Sequence, residues 1–219
     1  MLNKTFVFLV SGVGLAPGLA LADDEPSPYS YSWKDSRLQS EIGVSTILGG
    51  GLTGFTDETM RDATTTDVSG LWNLRVTIGS HTPIAFDVGY VGTAADVDAL
   101  AGGQSGTLVG TTVEGAVRYN VLPHNNWNPY AFVGMGWQRY DITGADFALS
   151  DTGMRDSDNS LVFPMGAGVS YRDTSGLVLD LRGTFRANTQ QGLVLESIGS
   201  DSYAPMHAWE ASAAAGYEF

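Results

Sequence analysis

Cysteine is absent from this 219-residue sequence, which excludes a disulfide framework, thiol catalysis and any cysteine metal site. Lysine is almost as scarce, because Lys34 is the only one after residue 22. Long apolar runs are missing there too, and no stretch approaches the roughly 18 unbroken apolar residues of a transmembrane helix. These absences leave two fold classes open, a soluble β-protein and a membrane β-barrel.

The first 22 residues have the composition of a signal peptide. Lys4 gives a basic start, residues 5–19 form a short apolar segment broken by glycine and proline, and Ala20-Leu21-Ala22 supplies the small-x-small cleavage pattern. A single transmembrane anchor is the alternative, but the run is short and ends in a cleavage site. We therefore expect residues 1–22 to be a signal peptide that is removed after Ala22 during export.

The mature chain is strongly acidic. All 24 Asp and Glu residues lie beyond Ala22, and only Lys4 of the 11 basic residues is lost with the signal peptide, which leaves a net charge of −14. Nucleic acid is not expected as a partner because its phosphates would be repelled. A basic helix on a membrane surface is excluded for the same reason.

Segments with strand character alternate with connections of two lengths. We predict strands over 41–55, 71–79, 84–94, 107–121, 129–141, 161–172, 177–188 and 207–219. Three connections are short (80–83, 122–128 and 173–176) and four are long (56–70, 95–106, 142–160 and 189–206). Strict alternation is typical of outer-membrane barrels, which have short periplasmic turns and longer external loops. It predicts a barrel over 41–219, a periplasmic arm over 23–40 and both termini in the periplasm.

Side chains alternate between apolar and polar within the predicted strands. The seventh strand, for example, sets Leu179 and Leu181 against Asp180 and Arg182. In a barrel this alternation separates a lipid-facing wall from the lumen. The predicted lumen holds four charges of each sign, namely Arg75, Asp87, Glu114, Arg118, Asp180, Arg182, Arg186 and Glu210. Eight strands leave an interior that side chains just fill, so we expect a plug of ion pairs; an ion or proton gate is the alternative.

Aromatic residues on the outward parity form two belts, as expected at the two membrane interfaces. The external belt contains Trp72, Tyr90, Trp137, Phe163, Phe185 and Trp209, and the periplasmic belt contains Phe86, Tyr119, Tyr171, Tyr217 and Phe219. Pro164 lies inside the sixth strand and predicts a bulge or distortion, because proline cannot donate a ladder hydrogen bond.

The mature chain resembles the small outer-membrane barrel families, which include the outer-membrane protein A-type barrels, their X-type relatives and the opacity-type porins. The resemblance rests on Pro129-Tyr130-Ala131-Phe132-Val133-Gly134-Met135-Gly136, on Leu177-Val178-Leu179-Asp180-Leu181-Arg182 and on the ending Gly216-Tyr217-Glu218-Phe219. It implies a closed, up-and-down, antiparallel barrel of eight transmembrane strands. The terminal aromatics Tyr217 and Phe219 are similar to the signal that the outer-membrane assembly machinery reads.

Some small outer-membrane barrels modify lipids, so the three histidines are candidate catalysts. His81 and His124 lie in predicted turns and are interpreted as ordinary turn residues. His207 lies near Ser200, Ser202 and Glu210, but the sequence has neither a Gly-x-Ser-x-Gly elbow nor an HExxH zinc motif. We expect no catalytic residues, metal or cofactor.

The sequence therefore predicts a non-enzymatic outer-membrane protein with a structural and surface role. We expect a monomer that contacts membrane lipid, lipopolysaccharide and the assembly machinery, and whose external loops are free to interact. A small porin or transporter of a hydrophobic solute is the first alternative, and a lipid-modifying enzyme is the second. A soluble lipocalin-like barrel fits less well, because its inward face should be apolar rather than charged.

Overall fold

The computed structural model describes residues 42–63, 68–98, 105–143, 157–189 and 206–219. The predicted signal peptide (1–22) and the predicted arm (23–40) lie outside the described residues. Residues 64–67, 99–104, 144–156 and 190–205 of the longer connections lie outside them as well.

The described residues form eight successive strands, with a short helix between the first two. They are β1 (Val44–Phe55), β2 (Ser69–Ile78), β3 (Ile84–Asp98), β4 (Ser105–Asn120), β5 (Trp127–Thr143), β6 (Ser157–Arg172), β7 (Leu177–Thr189) and β8 (Ala208–Glu218), and the helix is α1 (Glu58–Ala63). Each strand pairs antiparallel with its neighbour in sequence, and β8 pairs with β1. The predicted fold class, a closed eight-stranded antiparallel barrel, is confirmed. Within the described ranges, no helix has the length and apolar character to cross a membrane.

The seam between β1 and β8 closes along its whole length. Pairing runs from Ser45 opposite Glu218 to Phe55 opposite Ala208, and the amide of Phe219 donates to the carbonyl of Val44 at 2.9 Å. Every strand therefore has a hydrogen-bonded neighbour on both sides. A bilayer imposes this condition because it offers a backbone amide no other partner.

The two ends of the barrel differ in their connections. At one end, here called the turn end, three tight connections span 79–83, 121–126 and 173–176. Gly79 and Gly176 adopt positive φ angles of 97° and 90° there, a conformation that glycine reaches without strain. The opposite end, here called the loop end, carries the four other connections.

Strict alternation of connection length is wrong at one position. β3 continues to Asp98 and β4 begins at Ser105, so 99–104 spans no more residues than the tight connection 121–126. The ladder persists through Asp96 opposite Thr107, where the apolar–polar alternation has already ended. The main chains of β3 and β4 remain paired beyond the end of the apolar–polar alternation. A prediction based on that alternation therefore makes both strands too short.

The distortion expected at Pro164 is an interruption of the β5–β6 ladder, without a bulge. Val133 pairs with Met165 and Gly136 with Val162 in one register, and the positions between them are unpaired. On its other side Pro164 stays in register with Arg186 of β7. The missing proline N–H thus affects one edge of β6 over a short stretch.

Candidate functional site: the charged lumen

All eight charged residues predicted for the lumen point into it. Each is at most 7% exposed, although they come from β2, β3, β4, β7 and β8. They occupy alternate positions on strands whose other positions are exposed and mostly apolar. Buried charges without partners are very costly, so their contacts determine whether this interior is stable.

One group of ions lies toward the turn end and is centred on Asp180 of β7. The carboxylate accepts a hydrogen bond from Arg75 on β2, and Arg118 Nη1 lies 4.0 Å from Asp180 Oδ2. The hydroxyl of Tyr130 lies 2.9 Å from both carboxylate oxygens. One acid therefore receives donors from β2 and β5, with a second guanidinium from β4 nearby.

A second group lies toward the loop end and is centred on Arg186. This guanidinium donates to Glu114 on β4 and, through Nε at 2.5 Å, to Glu210 on the adjacent β8. Arg182 bonds to Asp87 at 3.1 Å, and its Nη2 lies 3.9 Å from Glu114. Because Arg182 contacts acids on both β3 and β4, it links the ions across the width of the lumen.

Two aromatic side chains complete this interior and were not predicted as part of it. The guanidinium carbons of Arg118 and Arg182 lie 3.4 Å from the ring centroids of Tyr130 and Phe132, respectively. Such stacking stabilises a cation that has left water. β5 carries apolar residues on both parities, so its sequence alone left the inward face ambiguous. The signal available was that Tyr130 and Phe132 share the parity of Asn128 and Gln138.

Glycines on β6 provide the space for these rings. A Cβ atom at Gly166 would lie 2.9 Å from Cζ of Phe132, and one at Gly168 would lie 2.5 Å from the hydroxyl of Tyr130. A side chain introduced at either position would displace an aromatic ring on which an arginine stacks. Gly166 and Gly168 are therefore part of the same arrangement as the ions.

A further polar cluster closes the turn end, and we call Ser80, His81, Arg172 and Glu218 the turn-end clasp. Glu218 accepts a hydrogen bond from the Ser80 hydroxyl at 2.6 Å, lies 2.5 Å from His81 Nε2 and lies 3.5 Å from Arg172 Nη1. Arg172 also donates to the carbonyls of Ser80 at 2.6 Å and Pro123 at 2.5 Å. The clasp joins β8 and β6 to the 79–83 and 121–126 connections. The interpretation of His81 as an ordinary turn residue missed this contact.

The loop end of the lumen combines hydrophobic and polar side chains. Beyond the ions, the buried hydrophobic ones are Leu71, Val91, Leu108, Tyr140, Ile142 and Met206, and the buried polar ones include Thr112, Gln138, Ser160 and Asn188. The hydroxyl of Tyr140 accepts a hydrogen bond from Gln138 at 2.9 Å, so its polar atom is satisfied. The interior thus passes from a mixed hydrophobic and polar layer, through paired ions, to the turn-end clasp.

His207 forms two hydrogen bonds to main-chain amides at the loop end of the barrel. Its Nδ1 accepts the amide hydrogen of Asn188 at 3.1 Å, and its carbonyl accepts the amide of Thr56 at 2.9 Å. Glu210 is bonded to Arg186 inside the lumen. Ser200 and Ser202 lie outside the described residues. Across the five described ranges, no group of three or more His, Asp or Glu side chains is placed to hold a metal ion.

The outer wall carries the large apolar side chains. Outward residues such as Leu48, Phe86, Val133 and Leu181 are more than half exposed. Tyr217 and Phe219, the predicted assembly signal, lie on this wall with their ring centroids 5.4 Å apart. An apolar wall around paired ions is inside-out compared with a soluble barrel and defines the class of outer-membrane β-barrels.

Solved structures of that class share the fold at low sequence identity. Neisserial surface protein A matches with a TM-score of 0.56 and 14% identity over 80% of this chain and 97% of that one. Ail of Yersinia pestis in complex with the heparin analogue sucrose octasulfate matches with 0.52 and 12% over 81% and 98%. The outer membrane protein OprG of Pseudomonas aeruginosa matches with 0.50 and 14% over 82% and 97%. No protein-family profile and no curated protein sequence matches the chain. The chain has the fold of the small eight-stranded outer-membrane barrels, as its resemblance to them implied.

Proposed function

We propose that this chain is a non-enzymatic structural and surface protein of a Gram-negative-type outer membrane. In this proposal residues 1–22 direct export and are removed, the turn end faces the periplasm with both termini, and the loop end faces outward. The barrel is a monomer that is inserted by the outer-membrane assembly machinery and surrounded by lipid and lipopolysaccharide.

The observation that carries the proposal is the plugged interior. Paired ions occupy the middle of the lumen, buried hydrophobic and uncharged polar side chains lie beyond them, and the turn-end clasp lies at the other end. An eight-stranded barrel has only enough interior for side chains, and here those side chains bind one another. This supports a rigid anchor that presents its loop-end connections, in preference to a pore.

Charge restricts the partners that these connections suit. Acidic residues outnumber basic ones in the sequence of these connections, where Arg61 and Arg155 stand against nine acids: Asp57, Glu58, Asp62, Asp67, Asp146, Asp151, Asp156, Glu196 and Asp201. Ail was solved with a polyanion, but an acidic surface repels polyanions. We therefore propose cationic partner surfaces, or divalent ions that bridge to lipopolysaccharide phosphates, as the contacts of this chain.

Electrophoresis and fractionation test the membrane assignment. The mature protein should fractionate with outer membranes and should migrate faster unboiled than boiled, because the closed ladder resists detergent until it is heated. Recovery as a soluble periplasmic protein, with the same migration before and after boiling, would contradict the proposal.

A small porin or transporter of a hydrophobic solute is the second candidate. The observation in its favour is the unpaired stretch of the β5–β6 ladder beside Pro164, which interrupts the hydrogen-bonded wall. The plugged lumen predicts little or no steady conductance in planar bilayers. Large, long-lived openings of the purified protein would favour this second candidate.

A lipid-modifying enzyme centred on His207 gains no support from the contacts of the described residues, because both Nδ1 and the carbonyl of His207 bind main-chain amides. Its test is analysis of lipid A before and after deletion of the gene. A change in the acylation or headgroup pattern of lipid A would support a lipid-modifying activity.

A further inference from the structure

An apolar groove of about 460 Å³ lies on the outer wall of the barrel. Its lining residues are Trp127, Val169, Tyr171, Leu179, Leu181 and Ala213, completed by Asp180 and Ala214, whose side chains alternate toward the lumen. This volume falls within the range of about 300–1,000 Å³ that is usual for small-molecule sites.

The recess arises from a step in side-chain size between β7 and β8. Leu181 of β7 pairs with Ala213 of β8, and Leu179 pairs with Ala215. The two leucines project outward and are 58% and 45% exposed, whereas the alanines opposite them end at Cβ. On the other side, Trp127 and Tyr171 form a raised edge, with their ring centroids 4.9 Å apart.

The position of the groove along the strands sets what can reach it. Trp127 and Tyr171 pair at the turn end, and Leu179 and Leu181 lie within the first five residues of β7. At about 3.4 Å per residue, the groove lies within about 15 Å of the turn end. This is the nearer half of a hydrocarbon layer about 30 Å thick. In the proposed orientation, that half is the periplasmic leaflet.

We propose that the groove binds one acyl chain of a phospholipid from the periplasmic leaflet, with the polar head beside Trp127 and Tyr171. This inference rests on the proposed membrane location. The groove is continuous with the lipid-facing wall, and a flexible chain fits a recess that the convex wall of a second barrel would not enter. Trp127 is 60% exposed and lies at the level where amphipathic rings contact headgroups.

Native mass spectrometry of the detergent-purified barrel, titrated with palmitoyl-oleoyl-phosphatidylethanolamine, tests the proposal. The unaltered protein should show one saturable lipid adduct. Ala213→Phe fills the groove and should weaken that binding about tenfold, equivalent to about 1.4 kcal/mol. Ala211→Phe is the matched control, because it makes the same change one outward position along β8, outside the lining. It should bind lipid as the unaltered protein does.

Three results would overturn the inference: equal affinity in both variants, tighter binding of lipid A than of the phospholipid, or a dimer that Ala213→Phe abolishes. If Ala213→Phe fails to fold, Leu181→Ala removes a wall of the groove and should lower the affinity in the same direction; unchanged affinity would overturn the inference. Failure of the proposed function is distinguishable, since the barrel would then be missing from the outer-membrane fraction. If only this inference fails, the barrel remains in the outer-membrane fraction, and filling the groove does not change its affinity for phospholipid.

Discussion

Tyr130 of β5 places its hydroxyl 2.9 Å from both carboxylate oxygens of Asp180 on β7. The two residues come from strands that are not neighbours, so the contact crosses the lumen and does not follow the ladder. Asp180 also accepts a hydrogen bond from Arg75, and the guanidinium of Arg118 stacks on the ring of Tyr130. A phenol thus completes the hydrogen bonding of a buried acid between two arginines.

Tyr130→Phe should destabilise the barrel by about 1.5–3 kcal/mol, because it removes a hydrogen bond to a buried charge and leaves the stacked ring in place. Urea unfolding of the protein in phospholipid vesicles, followed by tryptophan fluorescence, measures this loss. Tyr119→Phe is the matched control, since Tyr119 lies on the outer wall with 54% exposure and should shift stability by less than about 0.5 kcal/mol. Equal effects of the two variants would mean that Tyr130 contributes only its ring.

Arg182→Leu should cost about 3–5 kcal/mol, because it leaves Asp87 buried with its strongest cationic partner removed. The same unfolding assay applies. Arg139→Leu is the control: Arg139 forms an ion pair with Asp141 on the exposed wall, and such pairs contribute about 0–1 kcal/mol. An unchanged midpoint for Arg182→Leu would mean that the ion pairs do not stabilise the plug.

The barrel and its inward charges were predictable from the sequence because both depend on a period of two. Once the parity of β2, β3, β4, β7 and β8 is set, each charged side chain must face the lumen. The partners were not predictable. Arg182 could have bonded to Asp180, two positions earlier on the same face, yet it bonds to Asp87 on β3. Pairing across a lumen depends on shear and tilt, which a one-dimensional pattern does not encode.

The turn-end clasp shows a second limit of prediction from the sequence. Glu218 has lumen parity in the sequence, but its partners Ser80 and His81 come from a turn more than a hundred residues earlier. Only closure of β8 onto β1 brings them together. Tyr130 and Phe132 were missed for a different reason, since apolar residues on both faces of β5 hide its inward side.

Glu218→Ala should destabilise the barrel by about 1–3 kcal/mol, because Ser80, His81 and Arg172 lose a shared acceptor. Glu218→Gln keeps one acceptor oxygen and should have a smaller effect. The temperature at which the fast-migrating band disappears in detergent gels ranks the stability of the unaltered protein, Glu218→Gln and Glu218→Ala. Glu58→Ala, an exposed change on α1, should leave that temperature unaltered. If Glu218→Ala and Glu58→Ala behave alike, the clasp is not a determinant of stability.

Deletion of Phe219 separates the assembly of the barrel from its stability. In the proposed pathway the chain reaches the periplasm unfolded, and its last strand is the part that the assembly machinery recognises. The ring of Phe219 is 62% exposed on the outer wall beside Tyr217, where it is accessible to a partner. Its amide is bonded to Val44 at 2.9 Å, so the residue also contributes one hydrogen bond to the seam.

Removing Phe219 should reduce the amount of folded barrel in outer membranes and increase degraded or periplasmic material. Refolding of the purified chain in detergent should change far less, because that route bypasses the machinery and loses only one seam hydrogen bond of about 1 kcal/mol. Phe219→Ala is the matched variant: it keeps the amide bond to Val44 and removes the ring, so it should reproduce the assembly defect. Immunoblots of fractionated cells, compared with circular dichroism of refolded protein, measure the two effects separately. If both variants reach the outer membrane at the level of the unaltered chain, Phe219 is an ordinary anchor at the interface, and the recognition signal lies elsewhere in the chain.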